Sequence, residues 1–304
     1  MTAEKANPVS WGPDAALVLT VLIWGINFSV VKACLEYFSP WAFNSLRLLC
    51  ASAVLLFIAR LHPGASVLAR DRRRLLVLGV VGHTVYQLCF IHGLNETTAS
   101  NSAIFLGMTP VFVAVLSRFF VAERLPRLAW MGITFSIVGV YLVLQDSSAL
   151  GGSLSGDALV LAATVCWSLY TVLGQPIVAR YGLFKTNAYS MAIGTLGFVP
   201  FGVPDLMRLG ERPIPQIAWA GWAYSFLFAL VVAYSFWYFG VSRIGPTQTA
   251  IYANVTPVAA IAVAWLWLGE PVGTSQLVGA GTILTGVYLV RRRPARLDPG
   301  SQTR

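Results

Sequence analysis

Four residues, His83, Tyr86, Gln87 and Phe90, fall at i, i+3, i+4 and i+7 of an otherwise aliphatic stretch, so on a helix they form one stripe. An imidazole, a phenol, an amide and a ring in a row can hydrogen-bond one end of a flat guest and stack on the other. A second stripe, Tyr234, Trp237 and Tyr238, repeats the pattern later in the chain. Trp24 with Asn27, Trp167 with Tyr170, Asn101 with Phe105, and Gln248 with Tyr252 and Asn254 offer the same mixture of polar and aromatic groups. This is chemistry for holding an amphipathic small molecule. Catalysis is not expected: there is no His-Glu-x-x-His zinc motif, no acidic pair inside an apolar run, and no certain serine neighbour for His83. A Gly-rich phosphate loop ending in Gly-Lys-Ser or Gly-Lys-Thr is missing too, so neither ATP hydrolysis nor a cofactor or metal is anticipated.

The elements that must position these residues are written in the composition. Of 304 residues, 57% are hydrophobic and 11% charged, and the mean hydropathy is +0.70, more apolar surface than one water-soluble core can hide. Ten continuous apolar runs lie near 15–34, 40–59, 75–93, 98–121, 127–144, 157–179, 186–203, 215–239, 245–267 and 273–290. Each approaches the roughly 20 residues that a helix needs to cross a bilayer core. Unbroken runs, not ten-residue alternation, predict an all-α integral membrane protein and not a barrel. The first run lacks a small-residue cleavage site and reads as a retained helix. Cys34, Cys50, Cys89 and Cys166 show no paired spacing and are read as packing residues.

Lipid cannot satisfy an amide or a hydroxyl, so the polar-aromatic stripes should face a wet cavity or one another. Interfacial belts account for other aromatics, such as Tyr37, Trp41, Trp130 and Trp219.

The formal charge of +9 sorts by membrane side. With the N-terminus in the cytoplasm, Arg60, Arg70, Arg72, Arg73, Arg74, Arg118, Arg124, Arg127, Arg180, Lys185, Arg243, Arg291, Arg292, Arg293 and Arg296 fall inside, and only Lys32, Arg208 and Arg212 outside. The basic excess is therefore a topology signal. The expected partners are a small-molecule substrate and the lipid bilayer, not nucleic acid; the oligomeric state is not legible.

One segment is written twice. "AIFLGMTPVFVAVLSRFFVAE" at 103–123 returns as "AIYANVTPVAAIAVAWLWLGE" at 250–270, 147 positions on. The same spacing pairs Gly93 with Gly240, Glu123 with Glu270, Gly132 with Gly279, and "GVYLV" at 139–143 with "GVYLV" at 286–290. A fainter echo at 143 pairs Asp14 with Asp157 and Trp24 with Trp167. Two five-helix units are expected, 15–144 and 157–290, joined by an external linker at 145–156 and flanked by cytoplasmic tails at 1–14 and 291–304. Five is odd, so the second unit must lie inverted, the architecture of alternating-access transporters with the site near the midplane. Pro110 and Pro257 are expected to bend the fourth and ninth helices at matched points, as hinges or as static kinks.

"WGINFSVVK" at 24–32, "LRLLCASAVLL" at 46–56, both "TPV" segments and the closing "GVYLV" resemble the ten-helix EamA branch of the drug/metabolite transporter superfamily over nearly the whole chain. The aromatic helices are similar, more narrowly, to bacterial aromatic amino acid exporters of the YddG type. The resemblance implies a multi-pass protein of a bacterial inner membrane, both termini cytoplasmic, that exports small metabolites. Amino acids with aromatic or large neutral side chains lead; a drug, nucleobase or sugar derivative is the rival cargo.

Two cations complicate the picture, since the second unit has no counterpart of Lys32 or Arg47. Arg47 lies about 11 Å into its helix at 1.5 Å per residue. It suits either a substrate carboxylate or, preferably, a structural lock to a carbonyl or Glu36. Lys32 is expected to snorkel or to cap carbonyls. All twelve acidic residues lie in tails, loops or helix ends, so no intramembrane carboxylate relay is expected and facilitated diffusion or exchange is the economical mode. His83 is read as a neutral hydrogen-bonding residue before a proton carrier.

Overall fold

A backbone in lipid has no hydrogen-bond partner but itself, and all regular structure among the described residues is helical. The computed structural model describes residues 11–62, 65–120, 127–145, 151–211 and 213–291. Glu123, Arg124, Arg212, Arg292, Arg293 and Arg296 lie outside them.

The order is α1 (Trp11–Cys34), α2 (Pro40–Leu61), α3 (Ala69–Gly79), a π-helical turn (Val80–Val85), α4 (Tyr86–Glu96), α5 (Ala99–Leu106), α6 (Thr109–Phe120) and α7 (Arg127–Gln145). There follow α8 (Leu154–Met207), α9 (Gln216–Tyr224), a π turn (Ser225–Val232), α10 (Ala233–Ile244), α11 (Pro246–Ala250) and a 3-10 turn (Ile251–Val255). α12 (Thr256–Val263), a π turn (Ala264–Leu268) and α13 (Thr274–Arg291) complete it. Hydroxyl caps start several helices: Ser39 accepts from the Ala42 N–H at 3.1 Å, Thr98 from Asn101 at 3.0 Å and Ser153 from Gly156 at 3.0 Å.

Among the described residues, seven helical segments are long and apolar enough to cross a membrane. One is α8, whose 54 residues would reach about 81 Å if straight, far beyond the about 30 Å of a bilayer core. Gly182, at φ 78° and ψ 165°, interrupts it. That left-handed φ is open to glycine at little cost, and it leaves two arms, 154–181 and 183–207, each of spanning length.

Each proline stands at an irregularity inside one membrane-spanning helical segment, Ala99–Phe120 for Pro110 and Pro246–Leu268 for Pro257. α5 ends at Leu106, Gly107 and Met108 form a turn, and Pro110 is the second residue of α6. Pro257 likewise stands in the first turn of α12, after the 3-10 turn. A first turn tolerates the missing N–H and the fixed φ of proline, so each proline begins a new α segment where the preceding one ends.

The helix pair α7 and α13 packs through glycine. A Cβ on Gly139 would stand 2.7 Å from the Gly279 carbonyl oxygen, and one on Gly286 would stand 2.5 Å from that of Gly132. Backbones this close exclude any side chain.

Candidate functional site

Aromatic rings from α1, α4, α8 and α10 converge inside the bundle. The Trp24 ring meets Trp167 edge-on at 5.2 Å and lies 5.2 Å from Trp237; its Nε1–H donates to the Ala229 carbonyl at 3.1 Å. Trp167 lies 4.9 Å from Tyr234 and 5.5 Å from Tyr86, and Tyr86 stacks on Phe90 at 5.6 Å. Each such pair contributes about 0.5–1.5 kcal/mol beyond its buried area, so the cluster is rigid as well as apolar.

A cavity opens among these rings, lined by Trp24, Asn27, Phe28, Arg47, Tyr86, Gln87, Phe90, Leu106, Thr109, Trp167, Ala229, Leu230, Tyr234, Ala253 and Thr256. Its volume is about 40 Å³, room for about three waters at roughly 10–15 Å³ each. An aromatic amino acid does not fit until the walls part.

Both breaks and both central π turns border this space. Leu106 and Thr109 flank the α5–α6 break, while Ala253 and Thr256 belong to the 3-10 turn and the start of α12. Gln87 and Tyr234 each follow a π turn, which offsets the side chains after it from a regular helical register. Cavity-lining residues also pair by sequence spacing: Gln87 with Tyr234, Leu106 with Ala253 and Thr109 with Thr256 stand 147 positions apart.

Several residues marked by the sequence stand behind this wall. His83 is fully buried, 0% exposed, with Nε2 3.2 Å from Ser190 Oγ and its ring stacked on Tyr234 at 5.6 Å. Ser190 is the serine neighbour that the sequence did not place. Among the described residues His83 Nδ1 has no hydrogen-bond partner, whereas the base of a nucleophile–base pair is held by a third group. Tyr170 donates to Asn187 Oδ1 at 3.0 Å, Trp237 Nε1–H to Thr171 Oγ1 at 3.1 Å, and Tyr238 to the Tyr170 carbonyl at 3.3 Å. Their polar tips are used in packing. Phe105 is buried in a separate apolar cluster, and Asn101 bonds Asp157 and Gln276. Tyr252 donates to Asp14, Gln248 is exposed, and Asn254 is half-buried outside the cavity lining.

Lys32 caps the end of α4, its Nζ donating to the carbonyls of Leu94, Asn95 and Thr97 at 2.9, 3.0 and 2.5 Å. Arg47 does not pair with Glu36 or with a carbonyl; it donates to Ser225 Oγ at 2.9 Å and to Gln87 Oε1 at 3.2 Å. Ser225, Leu106 and Ala253 were not singled out from sequence. The 147-residue spacing was the signal that could have found the last two.

A family profile described as the EamA-like transporter family matches the chain twice, over residues 12–145 and 154–292. The chain belongs to the EamA-like transporter family. Among similar proteins, the Bacillus subtilis protein named uncharacterized transporter YyaM is 30% identical over 86% of this chain and 88% of its own length. A Streptantibioticus cattleyicolor protein named probable terminal-alkyne amino-acid exporter is 27% identical, covering 91% of this chain and 93% of its own. A Salmonella typhimurium protein named probable amino-acid metabolite efflux pump is 28% identical, covering 90% and 92%. One solved crystal structure superposes with a TM-score of 0.65 over 91% of this chain and 96% of its own, at 16% identity, a likeness of fold. The chain is thus a membrane transporter of the EamA type.

Proposed function

We propose that this EamA-type transporter exports small amphipathic metabolites, first among them amino acids with aromatic or large neutral side chains. It works by alternating access through the aromatic cavity, between two inverted five-helix repeats. The observation that carries this reading is that sequence counterparts from the two halves, Gln87 with Tyr234, Leu106 with Ala253 and Thr109 with Thr256, meet at one cavity. The glycine contacts are reciprocal in the same sense: Gly139 touches Gly279, and their counterparts Gly286 and Gly132 touch in turn. Reciprocal contact is what a two-fold axis between halves produces.

The proposed topology has ten crossings, with the arms of α8 taken separately and segments joined across their breaks, and sets both ends of the chain on the cytoplasmic side of a bacterial inner membrane. The walls support this cargo. Trp24, Tyr86, Phe90, Trp167 and Tyr234 favour a flat apolar side chain, and Asn27, Gln87 and the two threonines supply polar contacts. Two relatives carry names that refer to amino-acid export.

Purified protein in liposomes, challenged with a panel of labelled amino acids, tests the proposal. Flux of phenylalanine, tryptophan and leucine above protein-free liposomes is expected. A protein that moves none of these but moves a dye or a nucleobase has the rival cargo.

A further inference from the structure

Arg47 is a buried cation without a counter-ion. It is 1% exposed, and among the described residues both ion pairs belong to Asp71. Its partners, Ser225 Oγ and Gln87 Oε1, are neutral, and its Nε–H has no hydrogen-bond partner. A guanidinium stays protonated in proteins, and a buried charge served by neutral dipoles and by the face of one ring, Phe43 with its centroid 5.4 Å from Cζ, is costly unless an opposite charge compensates it. A lock between helices needs no charge.

What distinguishes Arg47 is where it stands. It lines the aromatic cavity, whose described walls carry this one cation and no carboxylate. Ser225 in turn donates to Asn27 Oδ1 at 2.7 Å, so a chain of polar groups runs from the guanidinium along the wall to a second lining residue. Tyr86 and Phe90, one residue before and three residues after Gln87 on α4, offer ring surface in the same cavity wall as the charge. A charge and a stacking surface side by side match an aromatic carboxylate.

We infer that Arg47 is the cavity's anion receptor, and that the guest supplies the missing counter-charge as a carboxylate. This rests on the reading of the cavity as the substrate site and narrows its cargo. No fixed acid answers an ammonium group, so the cavity requires the carboxylate of an amino acid and not its amine. Aromatic acids without an amine should bind, and aromatic amines without an acid should not. The second half has no matching cation, so the guest is oriented, its acid end toward α2.

Ligand-induced thermal stabilisation of the purified protein tests this without needing transport. The probes are phenylalanine, 3-phenylpropionate and phenethylamine at equal concentrations. Phenylalanine and 3-phenylpropionate should raise Tm, with phenethylamine at least about tenfold weaker in apparent affinity, the scale of a charge-assisted hydrogen bond. Arg47→Gln should abolish the shift by both acids, and Arg47→Lys should keep part of it. Should Arg47→Gln fail to fold, the three probes on the unaltered protein still decide. Phenethylamine binding as tightly as 3-phenylpropionate, or neither acid binding, overturns the inference. Binding of 3-phenylpropionate without liposome flux of any amino acid would leave the receptor standing and remove amino acids as the cargo.

Discussion

Gly107 lies against Pro257: a Cβ on the glycine would stand 2.7 Å from the proline Cγ and 3.0 Å from the Ile104 carbonyl oxygen. The break that ends α5 in one half of the chain is therefore seated on the break that begins α12 in the other. Helices that touch where both leave the regular α pattern can change direction together, because each is joined there by tightened i→i−3 bonds, as from Met108 N–H to the Phe105 carbonyl at 3.0 Å, and by a proline that donates none. Gly107→Ala should force the two breaks apart and cost about 1–3 kcal/mol, as overpacking does. A fall in Tm of the purified variant checks this; an unchanged Tm would mean that the contact gives way freely.

The prolines themselves allow a kinetic test. Pro110→Ala and Pro257→Ala should let the helices close across their breaks, slowing exchange of access more than they weaken substrate binding. Single-turnover efflux beside equilibrium binding separates the two quantities. Equal transport rates in both variants would reduce the prolines to shape.

Glu270 fastens the opposite end of the same helix. Its carboxylate accepts from the N–H groups of Ala99 and Ser100 at 2.8 and 3.1 Å and from Ser100 Oγ at 2.8 Å, an acid on the positive end of a helix dipole. The contact ties the segment after α12 to the start of α5, and so one half of the chain to the other. Glu270→Gln removes the charge but keeps the shape. It should speed the reaction of an impermeant thiol reagent, added from outside, with a cysteine placed at Ala253 in the cavity wall. No change in that rate would make the glutamate a cap and not a latch.

Much of this was legible in the sequence because lipid enforces simple rules. Continuous apolar runs mark the helices, since a spanning backbone has almost no other choice, but polar ends escape them: α3 begins at Ala69, not 75, and α10 ends at Ile244, not 239. The 147-residue repeat pairs the two prolines and, beside them, Thr109 and Thr256, which line the cavity. Side-chain direction was harder. His83 shares a stripe with Tyr86 and Gln87, yet it sits inside a π turn and meets Ser190, while Gln87 follows the turn and reaches the cavity. An i, i+3, i+4 stripe assumes a regular helix, and the inserted residue of a π turn shifts it. Arg47 misled for another reason, because the hydroxyl that receives it, Ser225, comes 178 residues later on a stretch with no polar signature of its own.

Topology follows from the inverted arrangement. On a background without the four native cysteines, a cysteine at Ser66, between α2 and α3, and one at Gly210, after α8, should label from opposite faces of intact cells, with Gly210 outside. Labelling from the same face would reject the ten-crossing inverted model.

If the aromatic cavity reads the cargo, relative flux through wall variants shows it most directly. Trp167→Ala and Tyr86→Ala remove cavity wall, whereas Trp237→Ala removes a ring packed behind it. In liposomes, the first two should lower phenylalanine flux more than alanine or threonine flux, by up to about tenfold for the loss of one stacking contact. Trp237→Ala should lower all three alike. Equal losses for every substrate in all three variants would contradict the account, because the rings would then hold the bundle together without touching what passes through it.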